Sequence, residues 1–288
     1  MSAPAWLTGL VDDAAMFPPG NAPVERALAE HRALRSGDAA AIVGRFVVSD
    51  LKVPDLIDAI DEQGEESDEE PLEISVVVSG GAGAIGPAVR WASRAPSLRL
   101  RGIEVALRDE EDLSHNARRV LTALDDVEED LSEVAVHVEL PRFDGSPTAG
   151  WLSALDEVAA ADLRTKFRTG GVTSDAFPTC DELLAGIDAA LDRELSFKCT
   201  AGLHHAVRQA DPETGTVHHG FLNVLAATSL LLEGGDALAA LEETSAPDLL
   251  GRVDPDDLAR ARRWFTSFGC CAVLEPHDDL IDLGVLER

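Results

Sequence analysis

Short runs of β-branched and other apolar residues recur along the chain, separated by longer stretches whose apolar residues return every three or four positions. The first pattern fits strands buried on both faces, and the second fits helices with one buried stripe. Strand-like runs fall at 9–16, 39–48, 73–78, 100–107, 134–140, 165–169, 195–200 and 269–274. Helical periodicity fills the gaps at 24–36, 53–63, 84–95, 109–123, 150–161 and 181–192, and a long helical region, 219–265, precedes the last strand. Strands alternating with helices in this number, over about 250 residues, predict an α/β fold of the (β/α)8 TIM-barrel type, a single domain spanning 1–288. The segment 209–264 is about twice as long as one crossover needs, and it is expected to form a helical insertion or lid before the eighth strand.

A parallel barrel gathers its chemistry at the carboxyl ends of its strands, where alternate residues point inward. The polar residues at those ends are therefore the candidates. They are Asp12 and Asp13 on strand one, Arg45 on two, Ser79 on three, Glu104 on four, His137 and Glu139 on five, Lys166 and Arg168 on six, Lys198 and Thr200 on seven, and Glu275 after eight. Alternation puts Lys166 and Arg168 on one face together, and Lys198 and Thr200 likewise. An ammonium inside a strand is costly unless it has a purpose. The glycine-rich run 79–86 lacks the lysine of a nucleotide-binding loop and reads as a tight turn into a helix.

Charge narrows the choice of partner. The 288 residues include 53 acidic and 24 basic side chains, for a formal net charge of -29. A field of that sign repels phosphate, so nucleic acid and anionic membrane are excluded as partners, and the acidic runs 61–70 and 125–130 read as solvated surface. No apolar run of about eighteen residues is present, and no basic segment precedes the first apolar stretch, so a soluble, cytoplasmic protein is expected. Lys52, Lys166 and Lys198 are its three lysines. Acid excess with scarce lysine fits adaptation to high salt, yet two of the three lysines sit in strands. Cys180, Cys199, Cys270 and Cys271 lack the spacing of a disulfide framework or zinc site, and the last three read as small buried apolar residues.

A lysine attacks a carbonyl only as the free amine, which requires a lowered pKa, and a second ammonium nearby is one way to lower it. Lys166 and Lys198 on consecutive strands meet that need. Their surroundings resemble the deoxyribose-phosphate aldolase branch of class I aldolases. That family's sixth strand reads Lys-x-x-Thr-Gly followed by Ala-x-Pro, matched here by Lys166, Thr169, Gly170, Ala176 and Pro178. Its seventh reads Phe-Lys-x-x-Gly-Gly, followed by Phe197, Lys198, Ala201 and Gly202, with Leu203 next. Its eighth carries Phe-Gly-Ala-Ser, which Phe268, Gly269, Cys270 and Cys271 resemble.

The resemblance implies a Schiff-base lyase that needs no cofactor and acts on a small carbonyl compound, sugar-like or a keto acid. It implies Lys166 as the nucleophile, Lys198 as the cation that lowers its pKa, and Glu104 and Glu139 as proton-handling carboxylates. The expected substrate-binding residues are Asp13, Arg45, Arg168, Thr169, Thr200, Gly202, His204, His205, Arg208 and Gly269. The family cradles phosphate on its seventh-strand glycines and its Gly-Ala-Ser turn. Here those segments read Gly202-Leu203-His204-His205 and Cys270-Cys271, so the substrate is unphosphorylated or held differently, with Arg168 and Arg208 available for an anion.

Two rival readings remain. His204, His205, His218 and His219, with His137, Glu139 and Glu275, supply ligand types for a divalent metal and hence for a metal-dependent isomerase or hydrolase. Adjacent histidines on a regular strand cannot both face the barrel, so one of each pair is expected to serve. The other is a non-catalytic binding barrel, with the apolar helix 221–232 as its contact surface. A homo-oligomer is expected in either case.

Overall fold

The computed structural model describes residues 3–62, 70–108, 111–212 and 214–287. Most of the acidic run 61–70, the start of the helix expected from 109, and Glu213 lie outside the described residues. The strands in chain order are β1 (Val11–Asp13), β2 (Val43–Ser49), β3 (Leu72–Val78), β4 (Leu98–Ala106), β5 (Ala135–Glu139), β6 (Arg164–Arg168), β7 (Phe197–Thr200), β8 (Gln209–Ala210), β9 (Val217–His218) and β10 (Phe265–Cys270). Eight of them close a parallel barrel in the order β1-β10-β7-β6-β5-β4-β3-β2, while β8 and β9 form a separate antiparallel hairpin. With α1 (Val24–Ser36), α2 (Val53–Glu62), α3 (Ala82–Arg94), α4 (Leu113–Asp125), α5 (Ala149–Ala160) and α6 (Cys180–Leu191) between strands, the chain is a (β/α)8 barrel.

The last barrel strand lies four residues earlier than its apolar run suggests. Phe265 and Phe268 face outward, stacking on Phe197 and Phe221 respectively, and this packing sets the position of β10. The run that continues to Leu274 is apolar because it opens the final helix, α11 (Leu274–Asp282).

The segment 209–264 contains the β8/β9 hairpin followed by α7 (Phe221–Glu233), α8 (Ala237–Glu242), α9 (Ala246–Leu250) and α10 (Pro255–Ala261). Residues 221–229 of α7 are all buried, so this helix is a wall of the barrel. Asn223 fixes its start. The carboxamide donates to the carbonyls of Ala240 and Glu243, at 2.7 Å each, and accepts the backbone N–H of Arg208 at 2.8 Å.

Outward strand residues are apolar and pack on the helices, including Phe46, Val48, Ile74, Val76, Ile103 and Val105. The inward residues are unusual for such a barrel, which ordinarily fills its axis with branched aliphatic side chains. Small residues, such as Ala14, Val47, Val77 and Gly269, leave space near the carboxyl end, and charged residues occupy the level below. No helix among the described residues is long and apolar enough to cross a membrane.

The net charge of -29 makes a folding prediction. Unbalanced carboxylates repel one another in the compact state, and added cations screen that repulsion within about 10 Å or less. The melting temperature is expected to rise steadily from dilute buffer to molar KCl, as followed by circular dichroism. A flat or falling curve would remove the reading of high-salt adaptation.

Candidate active site

Strand register brings the lysines to one level. Lys166 on β6 is the Cα partner of both Lys198 on β7 and Glu139 on β5, and Lys198 is in turn the partner of Ser267 on β10. The side chains form a chain of alternating charge. Arg168 Nε lies 3.2 Å from Glu139 Oε1, and Lys166 Nζ lies 2.7 Å from Glu139 Oε2 and 3.1 Å from Glu104 Oε2. Lys198 Nζ then lies 2.7 Å from Glu104 Oε1 and 2.6 Å from Asp12 Oδ2. Ser75 donates to Glu104 at 2.9 Å and Ser267 to Asp12 at 2.7 Å. Three cations thus meet three carboxylates, which is how buried charges become tolerable.

Apart from exposed Arg168, the chain is buried. Lys166, Lys198 and Glu104 are exposed by 4%, 1% and 2%. Burial by itself would lower both lysine pKa values, but Glu139 and Glu104 around Lys166, and Asp12 and Glu104 around Lys198, outweigh it and raise both. Burial would raise Glu104, and the two ammonium groups instead hold it well below the usual carboxylate range. Glu139 is likewise lowered by Lys166 and Arg168 against the effect of burial. Lys198 does push the pKa of Lys166 down, as expected, but the expected net lowering is corrected to a rise. Glu104 stands between the two ammonium groups and the carboxylates dominate.

Above this floor opens a cavity of about 450 Å³, lined by Lys166, Lys198, Glu104, Arg168, Thr200, Gly202, His204, His218, Gly269 and Cys271, with an apolar wall that includes Phe17, Pro18, Val172 and Phe177. Phe177 stacks on His218. The glycines of the lysine-bearing segments have a steric cause. A Cβ on Gly170 would sit 2.9 Å from Gly202 Cα, and Gly202 adopts a φ of +79° with Thr169 O 2.9 Å from where its own Cβ would be. The loops after β6 and β7 can approach this closely only with glycine at both positions.

Several expected site residues lie elsewhere. Asp13 faces outward, accepting the N–H of Ala15 at 3.1 Å and contacting His31 Nδ1 on α1 at 2.9 Å, while Asp12 takes the inward position. Arg45 lies at the opposite, amino-terminal end of the barrel, where it lines a second cavity with Glu73 and Arg164. It is too early in β2 to reach the carboxyl mouth. Thr169 is buried and its hydroxyl donates to the carbonyl of Ala201 at 2.5 Å, joining two loops without facing the cavity. His205 turns toward Asp279, 3.2 Å away, and Arg208 contributes no lining to the cavity, its charge lying near Cys180 and His219. Glu139 touches Lys166 but lines a neighbouring pocket with Trp151 and Phe167.

The histidine pairs divide. His204 and His218 line the cavity, whereas His205 is held by Asp279 and His219 Nε2 meets the carbonyl of Pro178 at 2.8 Å. Contacts with the thiols of Cys270 and Cys271 hold the His204 imidazole above its ordinary range. His137 is buried beneath the ionic chain with neither ring nitrogen hydrogen-bonded, and burial, with Lys198 second, keeps it neutral. Among the described residues no group of three or more His, Cys, Asp and Glu is arranged to hold a metal ion.

The sequence reading placed Asp13 at the site, and it is Asp12 that meets Lys198. Leu10 and Val11 are both apolar, so alternation could be anchored on either, and only the pairing of β1 with β10 places Asp12 inward beside Gly269. Asp13→Ala is expected to cost about 1–3 kcal/mol of stability in urea unfolding by stranding buried His31, with the inward ionic chain left intact. A loss below the error of that measurement would remove the structural role assigned to Asp13.

Comparison of the sequence with protein-family models and with curated proteins finds no match.

Proposed function

We propose that the protein is a Schiff-base lyase of the class I aldolase type acting on a small carbonyl compound, with Lys166 as the nucleophile. What carries this reading is one arrangement: an amine on the floor of an open cavity with two carboxylate oxygens, of Glu139 and Glu104, at 2.7 and 3.1 Å. Those oxygens offer the proton of Lys166 somewhere to go. The raised lysine pKa means that Lys166 rests as an ammonium, and it becomes a nucleophile only as its proton passes to a carboxylate in the encounter with the carbonyl.

The remaining steps have candidates within the same chain. Amine attack gives a carbinolamine, whose hydroxyl must leave as water, and Glu139 can return the proton it accepted. Cleavage of the neighbouring carbon–carbon bond sends its electron pair into the iminium, while Glu104, bridged to Lys198 at 2.7 Å, serves as the base for the departing hydroxyl proton. Lys198 in this account sets the charge on Glu104. Arg168 and Thr200 at the rim supply hydrogen bonds to the polar end of the substrate.

The test is intact mass after borohydride reduction in the presence of a panel of small aldehydes and ketones, followed by peptide mapping. One stable adduct per chain on Lys166 is the expected outcome. No adduct with any member of the panel would remove the Schiff-base reading.

A further inference from the structure

The cavity that has Lys166 in its floor carries a second constellation in its rim, and the Schiff-base reading does not use it. Cys271 follows β10 and His204 follows β7, two strands adjacent in the barrel. Cys271 Sγ lies 3.7 Å from His204 Nε2, and the other ring nitrogen, Nδ1, lies 2.6 Å from Glu275 Oε2 in the first turn of α11. Cys271 and His204 both line the cavity. Cys270 also approaches Nδ1, at 3.8 Å, but it is only 1% exposed and does not line that space.

The order carboxylate, imidazole, thiol is what nucleophilic catalysis by cysteine requires. A carboxylate on Nδ1 orients the ring and favours its doubly protonated form, which leaves the Nε2 proton directed at the sulfur. A separation of 3.7 Å lies within the reach of a hydrogen bond to sulfur, and such contacts are loose before substrate binds. We propose that Cys271 is a second nucleophile of this cavity, with His204 as the imidazolium that holds its proton and Glu275 orienting the imidazole, and that it captures an aldehyde as a thiohemiacetal.

The step balances without a further reactant. With the proton of the pair resting on His204 Nε2, sulfur bonds to the carbonyl carbon, the π pair moves to oxygen, and that oxygen takes the proton from His204. The groups facing His204 are Glu275 and the two thiols, with His205 beside it in the chain and His218 across the cavity. The assignment is independent of Lys166.

The experiment is iodoacetamide labelling of the full-length folded protein between about pH 6 and pH 9, located by peptide mapping, with and without acetaldehyde. Cys271 is expected to label first. Near pH 6.5 it should react about tenfold faster than in His204→Gln, whose profile should rise only toward the ordinary thiol range near about 8.5. Glu275→Gln, a change at a half-exposed site, should lie between the two, and Cys270→Ala should label as wild type does. Acetaldehyde should slow labelling equally in wild type and in Lys166→Met. Failure of borohydride trapping with retained thiol reactivity would overturn the lysine assignment alone. Equal Cys271 profiles in wild type, His204→Gln and Glu275→Gln would overturn the thiol assignment, as would preferential labelling of Cys270 or absence of protection by the aldehyde.

Discussion

Lys166→Met is expected to form no borohydride-trapped adduct at any pH while keeping its fold, because methionine preserves the length of the side chain and removes the amine. Glu139 retains Arg168 and Glu104 retains Lys198, so neither carboxylate is left without a cation. Lys198→Met should behave differently. Glu104 would then serve Lys166 alone, hold its ammonium more firmly, and move the pH dependence of trapping upward by roughly one to two units. Peptide mapping completes the test. An adduct located on Lys198, or a Lys166→Met protein that traps at the wild-type rate, would reverse the assignment of the two lysines.

The second large effect concerns Glu104, the one carboxylate shared by both lysines. Glu104→Gln keeps the shape and much of the hydrogen bonding but leaves two buried ammonium groups facing each other without it, and breaking a buried pair in this way costs about 3–5 kcal/mol. Trapping should move in the opposite direction from Lys198→Met. Lys166 loses an attracting charge and feels Lys198 unshielded, so its pKa falls and adducts form at lower pH.

The dependence of stability on pH follows from the directions of the shifts. Glu104 has a lowered pKa in the fold, so its contribution is complete above the unfolded value near about 4.3 and fades as pH falls below it. Lys166 and Lys198 have raised values, so theirs is complete below about 10.4 and fades above it. The stability difference between wild type and Glu104→Gln should therefore be widest between about pH 5 and pH 10 and shrink outside that window. Urea unfolding across this range measures it. A difference that stays constant into acid would show that the charge of Glu104 contributes nothing to the fold.

These effects share a source that could be read partly from the residues. The barrel was legible because strands buried on both faces read as apolar runs, and the crossovers between them carry a 3.6-residue period. Lys166, Lys198, Glu104 and Glu139 were legible as well. A lysine inside an apolar strand signals itself by its cost, and two on consecutive strands of a parallel barrel at like positions must become neighbours. The steric meaning of Gly170 and Gly202 was not legible, because the approach of two loops distant in sequence is what excludes a side chain at either position.

Facing, level and partnership were decided by the tertiary structure. Asp12 and Asp13 are identical in type and adjacent in the chain, yet one pairs with Lys198 and the other with His31, because alternate residues of a strand face opposite sides and only pairing with β10 fixes which. Arg45 is an inward residue like Lys166, but strand stagger puts it at the far end of the axis. The sign of the lysine pKa shifts depended on the same closure. Sequence alone determined that two ammonium groups stand on neighbouring strands, which favours repulsion; the closed barrel brought Glu104, Glu139 and Asp12 within 3.1 Å of them, and at that range in a buried site opposite charges outweigh both repulsion and burial.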